Sequence, residues 1–232
     1  MGNRIHPTAV IGPHVQLGDG NIIGPFVVLI GCRMGDDNWV GPHVVIGTPP
    51  EIRGHAHPAG WDDVDEGYGV SIGDRTTLRE YTTVSAGSQA PTTVGDDCFL
   101  MNKVYVGHDG RIGDTVTMAA GAGLGGHVTV GAGANLGLGA TVHQRRRIGA
   151  GTMVGMGAVV TRDLPPFAMA YGNPARIRGA NRVGMQRAGF ASSDVELMQE
   201  TYSRHGGVPD DWAPPPSMAA LFSPDPSSSR TI

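Results

Sequence analysis

Val94-Gly95-Asp96-Asp97-Cys98-Phe99-Leu100-Met101-Asn102-Lys103-Val104-Tyr105-Val106 begins a run, continuing to Val160, in which an aliphatic residue or methionine opens every sixth position. The openers are Val94, Leu100, Val106, Ile112, Met118, Leu124, Val130, Leu136, Val142, Ile148, Val154 and Val160, and most are followed by a small residue. A helix would repeat every 3.6 residues and an amphipathic strand every two, so neither explains the run. A six-residue period marks a parallel β-helix. Three hexads per turn stack residues 18 apart, on coils about 4.8 Å from one another.

The same period extends outward. It starts at Ile5, Val10 or Ile11, Leu17, Ile23 and Leu29, slips near Cys32, and resumes at Met34, Val40 and Ile46. It breaks over 48–69, a stretch rich in Pro, Gly, His and acid that reads as a protruding loop. Long loops in a regular solenoid are usually functional or disordered. Hexads return at Ile72, Leu78 and Val84, pause over Ser88 to Thr93, and end at Pro165 and Pro166. The expected organisation is a β-helix over 1–166 and an extended and helical segment over 167–207. Ser192 or Ser193 should cap a helix there. The Pro- and Ser-rich stretch 208–232 reads as disordered.

Composition agrees. The 232 residues include 37 glycines and only 6% aromatics, which suits tight corners better than an aromatic-rich sandwich. A net charge of −4 argues against a general nucleic-acid binder. Lys103 is the sole lysine, so nearly all positive charge is arginine, suited to carboxylate and phosphate. Cys32 and Cys98 form no metal or redox motif. No signal peptide or membrane-spanning run is visible, so a cytoplasmic location is expected.

Stacking turns the sequence into a site. Val106, Leu124 and Val142 open equivalent hexads, so His108, Gly126 and Gln144 fall one above another, with His127 and His143 beside them. The histidines occupy different hexad positions and no cysteine or obvious carboxylate completes a set, so no metal is expected. One reading makes them hydrated corner residues. The other is general-base acyl transfer, since an imidazole with a reference pKa of about 6.5 can deprotonate a hydroxyl near neutrality. The thioester oxyanion then needs an N–H donor, and Gly126 has no side chain to obstruct its own. Asp109 can orient His108 only if the chain bends between them.

These residues, in this order, resemble the acyl-[acyl-carrier-protein]–UDP-N-acetylglucosamine O-acyltransferases of lipid A biosynthesis. The resemblance runs through Ile72-Gly73-Asp74-Arg75, Leu100-Met101-Asn102 to Gly107-His108-Asp109, Gly126-His127-Val128 and Val142-His143-Gln144. It continues through Asp163-Leu164-Pro165-Pro166-Phe167, Gly172-Asn173-Pro174-Ala175 and Asn181 to Arg187-Ala188-Gly189-Phe190. It covers about 5–190 and implies an all-β, left-handed parallel β-helix with a short C-terminal α-helical segment. Spacing alone leaves the handedness open. It also implies a homotrimer with active sites between subunits. His108 is then the general base, Asp109 its orienting partner and the Gly126 N–H the oxyanion donor. His127, His143, Gln144, Asn181 and Arg187 become substrate contacts. Met156 falls at the family's acyl-chain ruler, where a bulky residue implies a short or medium chain, with or without a 3-hydroxyl. No tightly bound cofactor is implied. The donor is the phosphopantetheine arm of acyl-carrier protein, and the acceptor a UDP-N-acetylglucosamine-like sugar nucleotide.

The chain departs from the family on the acceptor side. Ser85 and Tyr105 stand where histidines are usual, and the 51–69 loop has no lysine. The alternatives are a coenzyme A-dependent hexapeptide acetyltransferase, a carrier-protein-dependent enzyme with a non-sugar acceptor, and a silent scaffold. Arg145-Arg146-Arg147 reads either as a solvated corner or as a docking patch for an acidic carrier protein.

Overall fold

The computed structural model describes residues 2–57, 68–209 and 211–223. The middle of the 48–69 loop, with Trp61, lies outside them. The strands of the coil are almost all two residues long and form three sheets, of ten, eight and seven strands. Each strand pairs in parallel with its counterpart on the next coil, as in Tyr105–Val106 with Gly123–Leu124, and Gly123–Leu124 with Thr141–Val142. Hexad openers are the last residues of these strands and from Ile23 onward are buried. Leu29, Ile46, Leu78, Leu100, Met118, Leu124 and Leu136 have no accessible surface. Each such side chain contributes roughly 1.5–3 kcal/mol by burial, so the period is the core.

The irregularities are local. Leu17 pairs with Met34, one residue short of the regular spacing, and this is the slip near Cys32. Burial pushes the Cys32 thiol up to about 12, consistent with an inert core residue. Polar residues at the corner between the third and first sheets satisfy one another along the column. Asp36, Asp74, Asp96 and Asp114 each accept a backbone N–H from the coil before. Buried Asn38 bonds Asn21 and the Gly73 carbonyl.

The end of the chain differs from expectation in three respects. Strand Ala168–Tyr171 continues the first sheet past Pro166, pairing with Met153–Val154, and Arg176–Ala180 returns antiparallel across its edge. The coil therefore runs beyond residue 166. The longer helix is Ser192–His205, but Ala191 is its N-cap and Ser192 its first helical residue, with no side-chain cap. Gly206, at φ 64°, closes it in the left-handed conformation.

The tail is the third difference. A 3₁₀ turn at Pro216–Met218 and a helix at Ala219–Phe222 occupy a stretch expected to be disordered. Met218 is fully buried in a second core with Phe167, Met185, Met198 and Tyr202, and Trp212 and Phe222 pack against it. Three apolar anchors overcome the proline-rich composition, while 224–232 lie outside the described residues. Among the described residues no helix is long and apolar enough to cross a membrane.

Candidate active site

The corner between the second and third sheets brings His108, Asp109, Gly126 and His127 together. After strand Tyr105–Val106 the chain turns through Gly107, His108, Asp109 and Gly110 into Arg111–Ile112. Asp109 sits at φ 58°. Adjacent side chains of an extended strand would diverge, but this positive φ turns the carboxylate back, and Asp109 Oδ2 lies 2.7 Å from His108 Nδ1. Asp tolerates this conformation better than most residues. The next coils repeat the turn, with His127 and Arg145 both at φ 60°.

Asp109 is buried and held on every side. Its Oδ1 accepts the backbone N–H groups of Ser88, Gln89 and Ala90 at 3.0, 2.7 and 2.8 Å. Its Oδ2 accepts the Ser88 hydroxyl at 2.6 Å. Burial works to raise this carboxyl, but the hydrogen bonds from Ser88, His108, Gln89 and Ala90 outweigh it and hold the group well below the usual carboxylate range. An ionised carboxylate only accepts. Nδ1 of His108 therefore carries a proton, which makes Nε2 the acceptor of the neutral ring.

Nε2 faces the next coil. A Cβ on Gly126 would stand 2.5 Å from it, so no other residue fits there without moving the ring. Backbone bonds run from Gly125 N to the Val142 carbonyl and from His127 N to the His108 carbonyl. Among the described residues no backbone acceptor takes the Gly126 N–H between them. A Cβ on Gly107 would lie 2.9 Å from that nitrogen, so Gly107 keeps it uncovered. His127 meets His108 edge to face at 5.0 Å, and its Nε2 is 3.7 Å from Asp109 Oδ2. Burial lowers the His127 imidazole, Arg145, His108 and Arg111 lower it further, and Asp109 opposes them.

His108, Asp109 and His127 bring ligand-capable atoms within 4.8 Å of one another. Asp109 is thus the carboxylate that spacing did not reveal. Its two oxygens already accept five hydrogen bonds, which a cation would have to displace.

The other expected site residues are dispersed. His143 and Gln144 are exposed on the coil after Gly126, with His143 Nδ1 3.2 Å from the Gln144 carbonyl oxygen. The three arginines diverge. Arg145 is exposed above His127, Arg146 Nη1 stands 3.5 Å from Asp163, and Arg147 lines a cavity of about 650 Å³ under the C-terminal segment. Asn181 caps the short helix Arg182–Arg187 through the Gly184 N–H and donates to the Gly151 carbonyl. Arg187 is exposed in that helix's last turn. Met156 is 73% exposed, at the corner between the first and second sheets. Asn181, Arg187 and Met156 are therefore not gathered at His108 within one chain.

Two groups escaped sequence reasoning. One is the 85–91 loop around Asp109, whose only signal was the pause in the hexads. The other is Glu51, whose Oε1 accepts the buried Ser85 hydroxyl at 2.7 Å. Burial first, and then Glu51, pushes the neighbouring Tyr105 phenol well above its ordinary range. Ser85, Tyr105 and Glu51 thus form one polar cluster where the chain departs from its resembled family.

The match to known proteins spans the molecule. Residues 163–204 match the family model for UDP N-acetylglucosamine O-acyltransferase, domain 2, and 1–31 match the bacterial transferase hexapeptide model. An acyl-[acyl-carrier-protein]–UDP-N-acetylglucosamine O-acyltransferase of Paraburkholderia phymatum is 37% identical over 216 residues, covering 86% of this chain and 82% of that one. Its Paraburkholderia xenovorans namesake is 36% identical with the same coverage. The structure of a UDP-N-acetylglucosamine acyltransferase from Campylobacter jejuni superposes with a TM-score of 0.75 at 28% identity, covering 88% of this chain and 86% of that one.

Proposed function

The chain belongs to the acyl-[acyl-carrier-protein]–UDP-N-acetylglucosamine O-acyltransferase family, and from this we propose that it moves an acyl group from acyl-carrier protein to a hydroxyl of UDP-N-acetylglucosamine or a close analogue. The observation that carries the mechanism is the His108–Asp109 pair facing the Gly126 N–H. Nε2 of His108 takes the proton of the acceptor hydroxyl as its oxygen attacks the thioester carbonyl. The tetrahedral oxyanion is met by the Gly126 N–H. Collapse expels the phosphopantetheine thiolate, which recovers the proton from His108. Asp109 fixes the tautomer and stabilises the transient imidazolium, as in other carboxylate–histidine pairs. No step calls for a resident cofactor.

His127 and His143 flank the acceptor in this reading, Gln144 lies along the pantetheine arm, and Met156 ends the acyl groove at short or medium length. Asn181 and Arg187 would contribute from other corners. Since one chain does not gather these residues, the working unit is a homotrimer with sites between subunits. Exposed Leu138 and Met156, stacked on one corner, are the kind of apolar surface a subunit contact covers.

The test supplies acyl-carrier-protein thioesters of several lengths, or acetyl-CoA, with UDP-N-acetylglucosamine. Consumption of the carrier-protein thioester with appearance of O-acylated sugar nucleotide supports the reading. Preference for acetyl-CoA, or no turnover with any donor, refutes it.

A further inference from the structure

The 85–91 loop is an insertion with no counterpart on the next coils. Val84 pairs with Val106 and Val94 with Ile112, so ten residues separate the openers here where six do on the following coil. The extra chain could have bulged into solvent. Instead it folds over Asp109 and gives it four of its five hydrogen bonds. The fold is tight, because a Cβ on Gly87 would stand 1.7 Å from the Ala90 carbonyl oxygen. It is also anchored, since the N–H groups of Gly87 and Thr92 both donate to the Gly69 carbonyl.

We propose that the 85–91 loop, through Ser88 above all, is a positioning element that fixes the geometry and tempers the basicity of His108 by way of Asp109. The proposal rests on the reading of His108 as general base. A bare buried carboxylate 2.7 Å from Nδ1 would hold the imidazolium strongly. That would leave His108 charged and unable to accept a proton. Three backbone N–H groups and one hydroxyl spread the carboxylate charge, so it orients the ring without trapping its proton. The other charged or titratable groups near the ring are His127 and, beyond it, Arg145 and Arg111. His127 and Arg145 lie on the coils beyond, away from the loop, while Arg111 follows on His108's own coil and pairs with Thr93; Ser88 substitution alters none of these side chains.

The sign follows. Removing the Ser88 hydroxyl leaves Asp109 with one donor fewer, so the carboxylate binds the imidazolium more tightly. Ser88→Ala should then move the acid limb of the pH–rate profile upward by about half a unit. It should lower kcat at pH 7 by up to about threefold, the most that a half-unit shift of the limb can remove. KM for donor and acceptor should stay within about twofold, and Ser88→Thr should restore both kcat and pH limb. Should Ser88→Ala fail to fold, Ser88→Cys keeps the volume and weakens the donor. An NMR titration of the His108 ring in the same variants needs no turnover. A ring titration and acid limb both unmoved in a folded variant would overturn the proposal, as would lost stability with an unmoved pH limb. Should His108→Ala keep wild-type turnover, the function reading fails instead, and the titration still decides what the loop does.

Discussion

Gly126→Ala tests the relation between the imidazole and the coil above it. Gly126 is not in the left-handed region, so alanine is conformationally admissible there. The effect must come from the methyl group. It would stand 2.5 Å from His108 Nε2, 2.6 Å from Cε1 and 3.1 Å from Cδ2. Ordinary carbon contacts need about 3.5–4.0 Å, so the ring must yield by roughly 1 Å. It cannot yield freely, because Nδ1 is held by Asp109 and the ring packs edge to face on His127. Overpacking of this kind costs about 1–3 kcal/mol. Displacing a catalytic group by about 1 Å costs on the order of 10²-fold in rate.

Turnover of Gly126→Ala, with both substrates saturating, should therefore fall by about 10², while melting temperature drops only modestly. Gly123→Ala is the control for stability, since its Cβ would meet nothing within 4 Å. A Gly126→Ala enzyme within about threefold of wild type, with the His108 ring unmoved in its structure, would refute the placement of the base beneath this glycine.

Met156→Gly, assayed across carrier-protein donors, should lengthen the preferred acyl chain by several carbons. An unchanged profile in an intact trimer would assign the end of the groove elsewhere. Replacing Arg145, Arg146 and Arg147 together by alanine should raise KM for carrier-protein thioesters but not for a small pantetheine thioester. Arg145 should account for most of the change, since Arg146 is engaged by Asp163 and Arg147 faces the cavity. Equal effects on both donors would favour the solvated-corner reading.

The parts of the fold legible in the sequence are those set by its period. Every opener from Val94 to Val160 is buried, because a short strand pairing at fixed spacing leaves its last residue nowhere to go but inward. The same spacing stacked Gly126 over His108. It could not reveal Ser88, which reaches Asp109 across a separation that is no multiple of the coil, nor Glu51, which arrives from a loop. Contacts made by insertions depend on how the insertion folds, and no period encodes that. Ser192 misled because capping preference describes a helix end, not its exact residue. The tail misled because proline and serine outweighed Trp212, Met218 and Phe222, although three apolar anchors within a dozen residues were a readable signal.

The dispersal of Met156 and His108 leads to the sharpest test. They lie on different corners of the same coil column, and the shared-site reading has Met156 limit an acyl chain activated at His108 from a neighbouring subunit. A cyclic trimer pairs unlike corners head to tail, one such pairing per interface. His108→Ala removes the base. Met156→Trp should block the groove for the natural chain. Neither variant alone should turn over. Co-refolded in equal amounts, some interfaces combine His108 from the Trp-bearing subunit with Met156 from the alanine-bearing one. Random assortment makes that about one interface in four. About a quarter of wild-type activity should return, falling as either variant is put in excess. No recovery, with mixed trimers demonstrated by mass, would mean that base and ruler do not meet across an interface, and the shared-site reading would fall.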